Sequence, residues 1–216
     1  MYLPPQFESR DPAVAARLMR ENPFASLIST DDEGLPFVTR LPLHLTGGVS
    51  AAEPFTLLGH VARPNPQWRH LQARPRAVVS FLGPHAYLSP RVYPDLARVP
   101  SWNYVALDAT VSASLLPHED AADKDALLKQ LIADHEPAYA AQWRALDPTL
   151  AHQLLQGIVA FELRVEHWQC KLKLNQHRPE SHQALHTLYA TGDAQEQALA
   201  QWMADAALRG LRHTQD

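Results

Sequence analysis

The stretch FTLLGHVARPNPQWRHLQARPRAVVSFL, residues 55–82, decides the fold. Residues 55–61 and 77–82 are short runs rich in Leu, Val and Phe, the signature of strands. Between them the proline-flanked segment 64–74 sets Trp68 and Leu71 one helical turn apart, where a short helix can pack both onto a sheet. The predicted unit is strand, helix, strand.

Upstream, Asp11 ahead of Pro12 caps and starts a helix whose apolar side carries Val14 and Leu18, and Asn22-Pro23 ends it. Residues 24–29 read as a strand, 30–34 (TDDEG) as a turn and 35–45 as a second strand, so this segment is a hairpin. Downstream, 84–100 reads as a proline-rich loop, and 104–116 alternates Val105, Leu107, Ala109 and Val111 as a long strand should.

From Glu119 the period changes. Leu127, Leu128, Leu131 and Ile132 sit at helical spacing, six acids lie between 119 and 136, and Pro137 stops the run. Tyr139, Trp143 and Leu146 continue on one helical face, Asp147-Pro148 restarts a helix, and Gly157 closes it. A helical insertion of about 118–156 is predicted. Residues 158–165 form a strand, and 167–178 (HWQCKLKLNQHR) extend with Lys171 and Lys173 on one face. Pro179 opens C-terminal helices of about 179–210, with Leu199, Trp202, Met203 and Ala206 as the last apolar stripe. The fold class is α+β with mainly antiparallel strands, in a single domain over 1–216.

The 216-residue chain carries a net charge of −4, which lacks the basic excess of a protein that wraps nucleic acid. Its one cysteine, Cys170, forms no intramolecular disulfide and no cysteine-based zinc cluster, and fits a reducing compartment. The start MYLPPQFESRD has none of the apolar run of a secretion signal, and no stretch reaches membrane-spanning length, so a cytoplasmic protein without membrane contact is expected.

Against this acidic background, 59–100 holds six arginines (63, 69, 74, 76, 91 and 98) and one acid, Asp95. A local anion site is one reading, in which Arg63 and the first amides of the following helix converge on a phosphate. Solvated or paired surface arginines are the other. Ser101-Trp102-Asn103-Tyr104 puts an indole, an amide and a phenol where a loop enters the long strand. A planar ligand can use all three, or the aromatics fill the core. There is no glycine-rich dinucleotide fingerprint, P-loop or Gly-x-Ser-x-Gly elbow. His182 and His186 stand four apart on a helix, but no glutamate follows His182 and no third ligand is implied. No metal site is expected, and no catalytic residue is named.

The motifs MYLPPQFE (1–8), NPFASL (22–27), GHVARPNPQW (59–68), FLGPHAYLSP (81–90), VPSWNY (99–104) and KLKLNQHRPE (171–180) together resemble the PaiB-like family of FMN-binding negative transcriptional regulators. The resemblance runs from residue 1 to about 188 and implies an FMN-binding split barrel. It also implies a homodimer with FMN at the subunit interface, and by name a role in repression. A more distant likeness to pyridoxamine 5′-phosphate oxidases implies that His60, Ala62 and Arg63 hold the flavin phosphate. The same likeness implies that Arg40, Tyr104, Trp168, Lys173 and Gln176 lie near the cofactor, and Trp102, from its place at the entry to the long strand, is counted with them as a cofactor-binding residue. The family pattern usually has a histidine at Arg40, tryptophans at Val92 and Leu172, a serine at Asn175 and an asparagine at His177, so the resemblance implies a divergent member. A flavin-dependent oxidoreductase acting on a small molecule is the alternative, with His60 and His85 as proton donors, and a haem-binding split barrel is a minor one. Any contact with DNA would come from the arginine patch.

Overall fold

Leu57, Val61, Val79 and Phe81 are all buried, so the two apolar runs of 55–82 do form strands around a core. The computed structural model describes residues 1–46, 55–95, 97–116 and 121–208. Along them run β1 (Glu8–Ser9), α1 (Pro12–Glu21), β2 (Phe24–Thr30), β3 (Pro36–Pro42), β4 (His44–Thr46), β5 (Thr56–Ala62), α2 (Gln67–Ala73), β6 (Arg76–Leu88) and β7 (Ser101–Leu115). Then come α3 (Ala121–His135), α4 (Ala140–Arg144), α5 (Pro148–Gln156), β8 (Ile158–Lys173), α6 (Pro179–Ala190) and α7 (Ala194–Leu208). The hydrogen-bonded strand order is β3-β2-β6-β7-β8-β5-β4, with β1 added beside β8. The fold is α+β and mainly antiparallel, as expected.

The hairpin of β2 and β3 pairs Phe24 with Pro42 and Thr30 with Pro36. Asp31 Oδ1 accepts from the Glu33 and Leu35 amides at 3.0 and 2.8 Å, and Gly34 closes the turn at φ 84°, a left-handed conformation that suits glycine. The expected strand 35–45 is split in two. Pro42 has no N–H for the ladder, the Leu43 amide bonds Pro23 O instead, and the chain then pairs His44 with Leu58 of β5.

A larger correction concerns 84–100, expected as a loop. β6 continues to Leu88, straight through Pro84. Its pairing with β2 covers Val78 to Ser80, so the later residues need no ladder donor on that side. There the His85 amide donates to Gln195 Oε1 of α7, and the Tyr189 hydroxyl of α6 donates to Tyr87 O. The side chains of the C-terminal helices take up the backbone groups that a neighbouring strand would otherwise hold. The stretches 158–165 and 167–178 also merge, into the single strand β8 as far as Lys173.

The helical predictions hold in outline. Asp147 caps α5 by accepting from the Thr149 and Leu150 amides, and Leu127 and Ile132 of α3 are buried. The expected helix start at Glu119 and the last residues of the C-terminal helix lie outside the described residues.

By its contacts the chain divides into two compact units. The first comprises Met1–Leu18, Leu82–Leu107 and Gln169–Asp216, around buried Leu18, Val105, Leu172, Leu185, Tyr189 and Trp202. The second comprises Met19–Phe81 and Asp108–Trp168, around Leu27, Leu57, Leu71, Val79, Val111 and Phe161. Each such side chain contributes roughly 1.5 to 3 kcal/mol on leaving water. Among the described residues no helix is long and apolar enough to cross a membrane.

Candidate functional site

The sequence-predicted residues fall into two groups, one in each unit. In the second unit the motif 59–68 begins inside β5, where Gly59 faces Phe161. A Cβ at Gly59 would meet Leu43 Cδ2 at 2.6 Å and Phe161 Cε2 at 3.0 Å, so the close approach of these side chains requires glycine. His60 follows, half-buried, and burial together with the neighbouring His44 pushes its imidazole below the usual range. The neutral ring is therefore favoured near pH 7. Ala62 is exposed and ends the strand.

Arg63 is the most firmly fixed member of this group. Its amide donates to Gly157 O at 2.8 Å, its Nε to Gln156 O at 2.7 Å and its Nη2 to Ile158 O at 3.1 Å. The Trp68 indole donates back to Arg63 O at 3.0 Å. The guanidinium is thus held on the junction of α5 and β8 and lines a cavity of about 280 Å³ with Trp68, Gln72, Leu115, Leu116, Lys124 and Val159.

The expected contribution of the α2 amides is not seen. The Gln67 amide donates to Asn65 Oδ1 at 2.9 Å, and the Arg69 and His70 amides bond Pro66 O. Asn65 forms a local turn that satisfies the helix start before a ligand can. Its Nδ2 also donates to Thr39 Oγ1 at 3.3 Å, and Gln67 Nε2 donates to Ser29 Oγ at 2.7 Å, which pins the loop to the hairpin. On that hairpin Arg40 is exposed, with Nη1 donating 2.7 Å to Ser26 Oγ, its direct partner across the ladder. Phe24, Val38 and Val78 are exposed on the same three neighbouring strands, Phe24 at 65% and Val38 at 51%. Trp168 stands 5.9 Å from the Phe55 ring, tilted by 53°.

In the first unit Lys173 Nζ donates to Ser101 Oγ at 2.6 Å and Trp102 O at 2.7 Å. Lys171 and Lys173 lie 5.1 and 6.0 Å from the centre of the Tyr104 ring. Burial and the nearby Lys171 charge push the Lys173 ammonium down. Trp102 is 52% exposed, with Tyr87 and His85 rings 6.3 and 6.2 Å away. Asn103 does not join them. Strand alternation turns it inward, where its Nδ2 donates to the Tyr189 hydroxyl at 3.3 Å. Gln176 is spent on backbone, donating to Gln6 O and Leu172 O and accepting from the Leu174 amide.

The divergent residues of this segment serve packing. Leu172 is buried, His177 meets the Phe7 ring edge-on at 5.2 Å, and Asn175 takes φ 62° while accepting from the Tyr93 hydroxyl and donating to Ser181 Oγ. Asparagine tolerates that left-handed backbone better than most residues.

The arginine patch disperses into local pairs. Arg74 bonds Asp32, Arg76 reaches Glu166 at 3.4 Å, Arg98 sits with Asp95 and Glu180, and Arg69 lies over Trp68. Spacing gave no sign of Lys124 or Tyr87 beside these groups. For Tyr87 the signal was the alternation of 85–88, hidden by Pro84.

The family model described as "Putative FMN-binding domain" matches residues 1–167. A Bacillus subtilis protein, "Protease synthase and sporulation protein PAI 2", is 34% identical over 181 residues, 84% of each chain. The chain belongs to the PaiB-like family of FMN-binding proteins. Among solved structures, the FAD and heme binding protein from Mycobacterium smegmatis superposes with a TM-score of 0.61 at 19% identity, covering 77% of this chain and 73% of that one. The flavocytochrome Anf3 from Azotobacter vinelandii gives 0.61 at 16% identity, covering 77% and 69%. At these identities the likeness establishes the split-barrel fold alone.

Proposed function

We propose that this chain works as a cytoplasmic homodimer, one domain per subunit, that binds FMN, with Arg40 a candidate contact in the second unit and Trp102 one in the first. The observation that carries the reading is a set of apolar groups left in water beside cations: Phe24, Val38 and Val78 around Arg40, and Trp102 and Tyr87 near Lys173. A flavin needs both, a planar apolar contact for its ring and cations for its phosphate. Arg63, just past His60 and Ala62 at the end of β5, holds the phosphate. Arg40 and Trp168 in the second unit, and Trp102, Tyr104 and Lys173 in the first, are the further candidate contacts, each argued within its own unit, while Gln176 acts by fixing the backbone of its own segment.

The exposed apolar side chains on β2, β3 and β6 suit a second copy of the chain, which would cover them and the adjoining groove of about 390 Å³ lined by Ile28, Pro36, Arg76, Val78 and Thr110. When bound, FMN supplies the redox chemistry, and the protein supplies position. As a PaiB-like regulator the protein acts on transcription indirectly, because Arg74, Arg76 and Arg98 are already paired with carboxylates.

A flavin-dependent oxidoreductase is the second reading, favoured by His85, whose ring lies beside exposed Trp102. The visible spectrum of purified protein, before and after adding FMN and removing the excess, tests the first reading. Retained flavin bands support it, and a colourless protein refutes it. Reduction of the bound flavin by NAD(P)H then favours the enzyme, and an operator-specific gel shift favours direct repression.

A further inference from the structure

Two histidines of the second unit share one face of the sheet. His44 pairs with Leu58 across the β4–β5 ladder, and His60 follows Leu58 by two residues, so both imidazoles lie on the side where α3 docks. The His44 side chain is only 3% exposed, with Nδ1 at 2.8 Å from Asp134 Oδ2 of α3. Its Nε2 is buried and has no hydrogen-bond partner among the described residues. The other titratable groups against this ring are His60 of β5 and His135 of α3, which meets it edge-on at 5.8 Å. On β8, two strands from His44, Glu162 stands opposite Leu58 and Arg164 opposite Thr56. We propose that the His44–His60 pair makes α3 an acid-released latch, docked on β4 near neutral pH and detached in mildly acidic solution.

With His44 neutral, Nδ1–H donates to Asp134 and the bare Nε2 forgoes only an accepted bond. A proton added at Nε2 turns it into a charged, buried donor with nothing to bond, which is the costlier state. Asp134 offsets that one charge. It does not also match a proton on neighbouring His60, because one carboxylate balances one imidazolium. Burial, then the His44 charge, pushes the His60 imidazole below its ordinary 6.5. A value lowered by folding means that this contribution to stability is complete above pH 6.5 and is lost as pH falls below it. Detachment of α3 uncovers the His44 ring, lets water bond Nε2 and screens the two charges from each other, so protons favour the detached form. Release also takes Lys124 out of the wall of the cavity at Arg63, in the same unit.

The test uses the full chain and is independent of the flavin. Backbone hydrogen exchange is read by mass spectrometry from about pH 7.5 to about pH 5.5, spanning the histidine range, and corrected for the intrinsic effect of pH on exchange. Protection of 121–135 is expected to fall roughly tenfold or more, the change produced by a one-unit pKa difference between the two states, while the β2–β3 hairpin at 24–42 keeps its protection. His44→Asn, whose side-chain amide still donates to Asp134 but takes up no proton, is expected to hold the protection of α3 constant over the range. His60→Gln, a half-buried change that removes the second charge, is expected to weaken the fall. Where His44→Asn does not fold, His60→Gln decides alone. No fall in the parent protein, an equal fall in α3 and the hairpin, or a fall that the folded variants retain in full overturns the latch.

Discussion

Nδ1 of His44 lies 2.8 Å from Oδ2 of Asp134, so a buried imidazole on β4 is bonded to a half-exposed carboxylate on α3. Asp134 is steadied in turn by Gln130 Nε2 at 2.8 Å, and His135 meets the His44 ring edge-on at 5.8 Å. This contact fastens the helices between β7 and β8 to the sheet. Replacing His44 by alanine removes both the bond and a buried ring, and should lower stability by about 2 to 4 kcal/mol. Asp134→Asn, which keeps an acceptor, should cost no more than about 1 kcal/mol. Urea unfolding of both variants measures the difference, and equal losses would show that the bond, not the ring's packing, is what matters.

Arg63→Ala should weaken FMN binding by roughly ten- to a hundredfold, the range for one charge-assisted phosphate contact of about 1.5 to 3 kcal/mol. Because Arg63 also holds the Gln156 and Ile158 carbonyls, the variant should be less stable by about 1 to 2 kcal/mol. Calorimetric titration at a temperature where the variant is folded separates the two effects. Unchanged affinity would remove Arg63 from the site.

Alkaline stability should be governed by two buried groups in the first unit. Burial, then the charge of Asp11, pushes the Cys170 thiol from 9.0 up to about 12. Burial likewise pushes the Tyr189 phenol from 10.0 up to about 12, against the hydrogen bond from Asn103. Both folded values lie above the unfolded ones, so the stabilisation is complete below the unfolded value and is lost as pH rises toward 12. Each unit of separation corresponds to about 1.4 kcal/mol. Stability measured between pH 8 and 12 should fall from near pH 9, and Cys170→Ala should delay the onset to near pH 10.

For the dimer, Phe24→Lys combined with Val38→Lys should leave the fold intact, since both side chains are exposed, and should yield a monomer by light scattering. FMN affinity should fall with it. A parent protein that is already monomeric at micromolar concentration would dismiss the dimer.

Much of the architecture was legible because its signals are local. Pro12 and Asp147-Pro148 start helices where side-chain caps and missing amides say they should, and Gly34 turns the hairpin. What was hidden depends on partners distant in the chain. β6 passes through Pro84 because Gln195 and Tyr189 stand beside it, and no local pattern announces a residue more than a hundred positions away. The motif around Arg63 was legible as a candidate anion site. Its engagement with carbonyls 156 and 158 was not, nor was the arrival of Lys124 at the same cavity. The opposite facing of Trp102 and Asn103 follows directly from the strand once β7 is known to begin at Ser101.

The way α6 and α7 take up the backbone of β6 bears on handling and turnover. A chain cut ahead of Pro179 would lose Tyr189 and Gln195 and uncover a strip of unsatisfied strand backbone at His85 and Tyr87. Such strips recruit one another, so the clipped protein should clump while the intact one stays dispersed. A protease that trims this tail would thereby mark the molecule for disposal without touching the groups around Arg63.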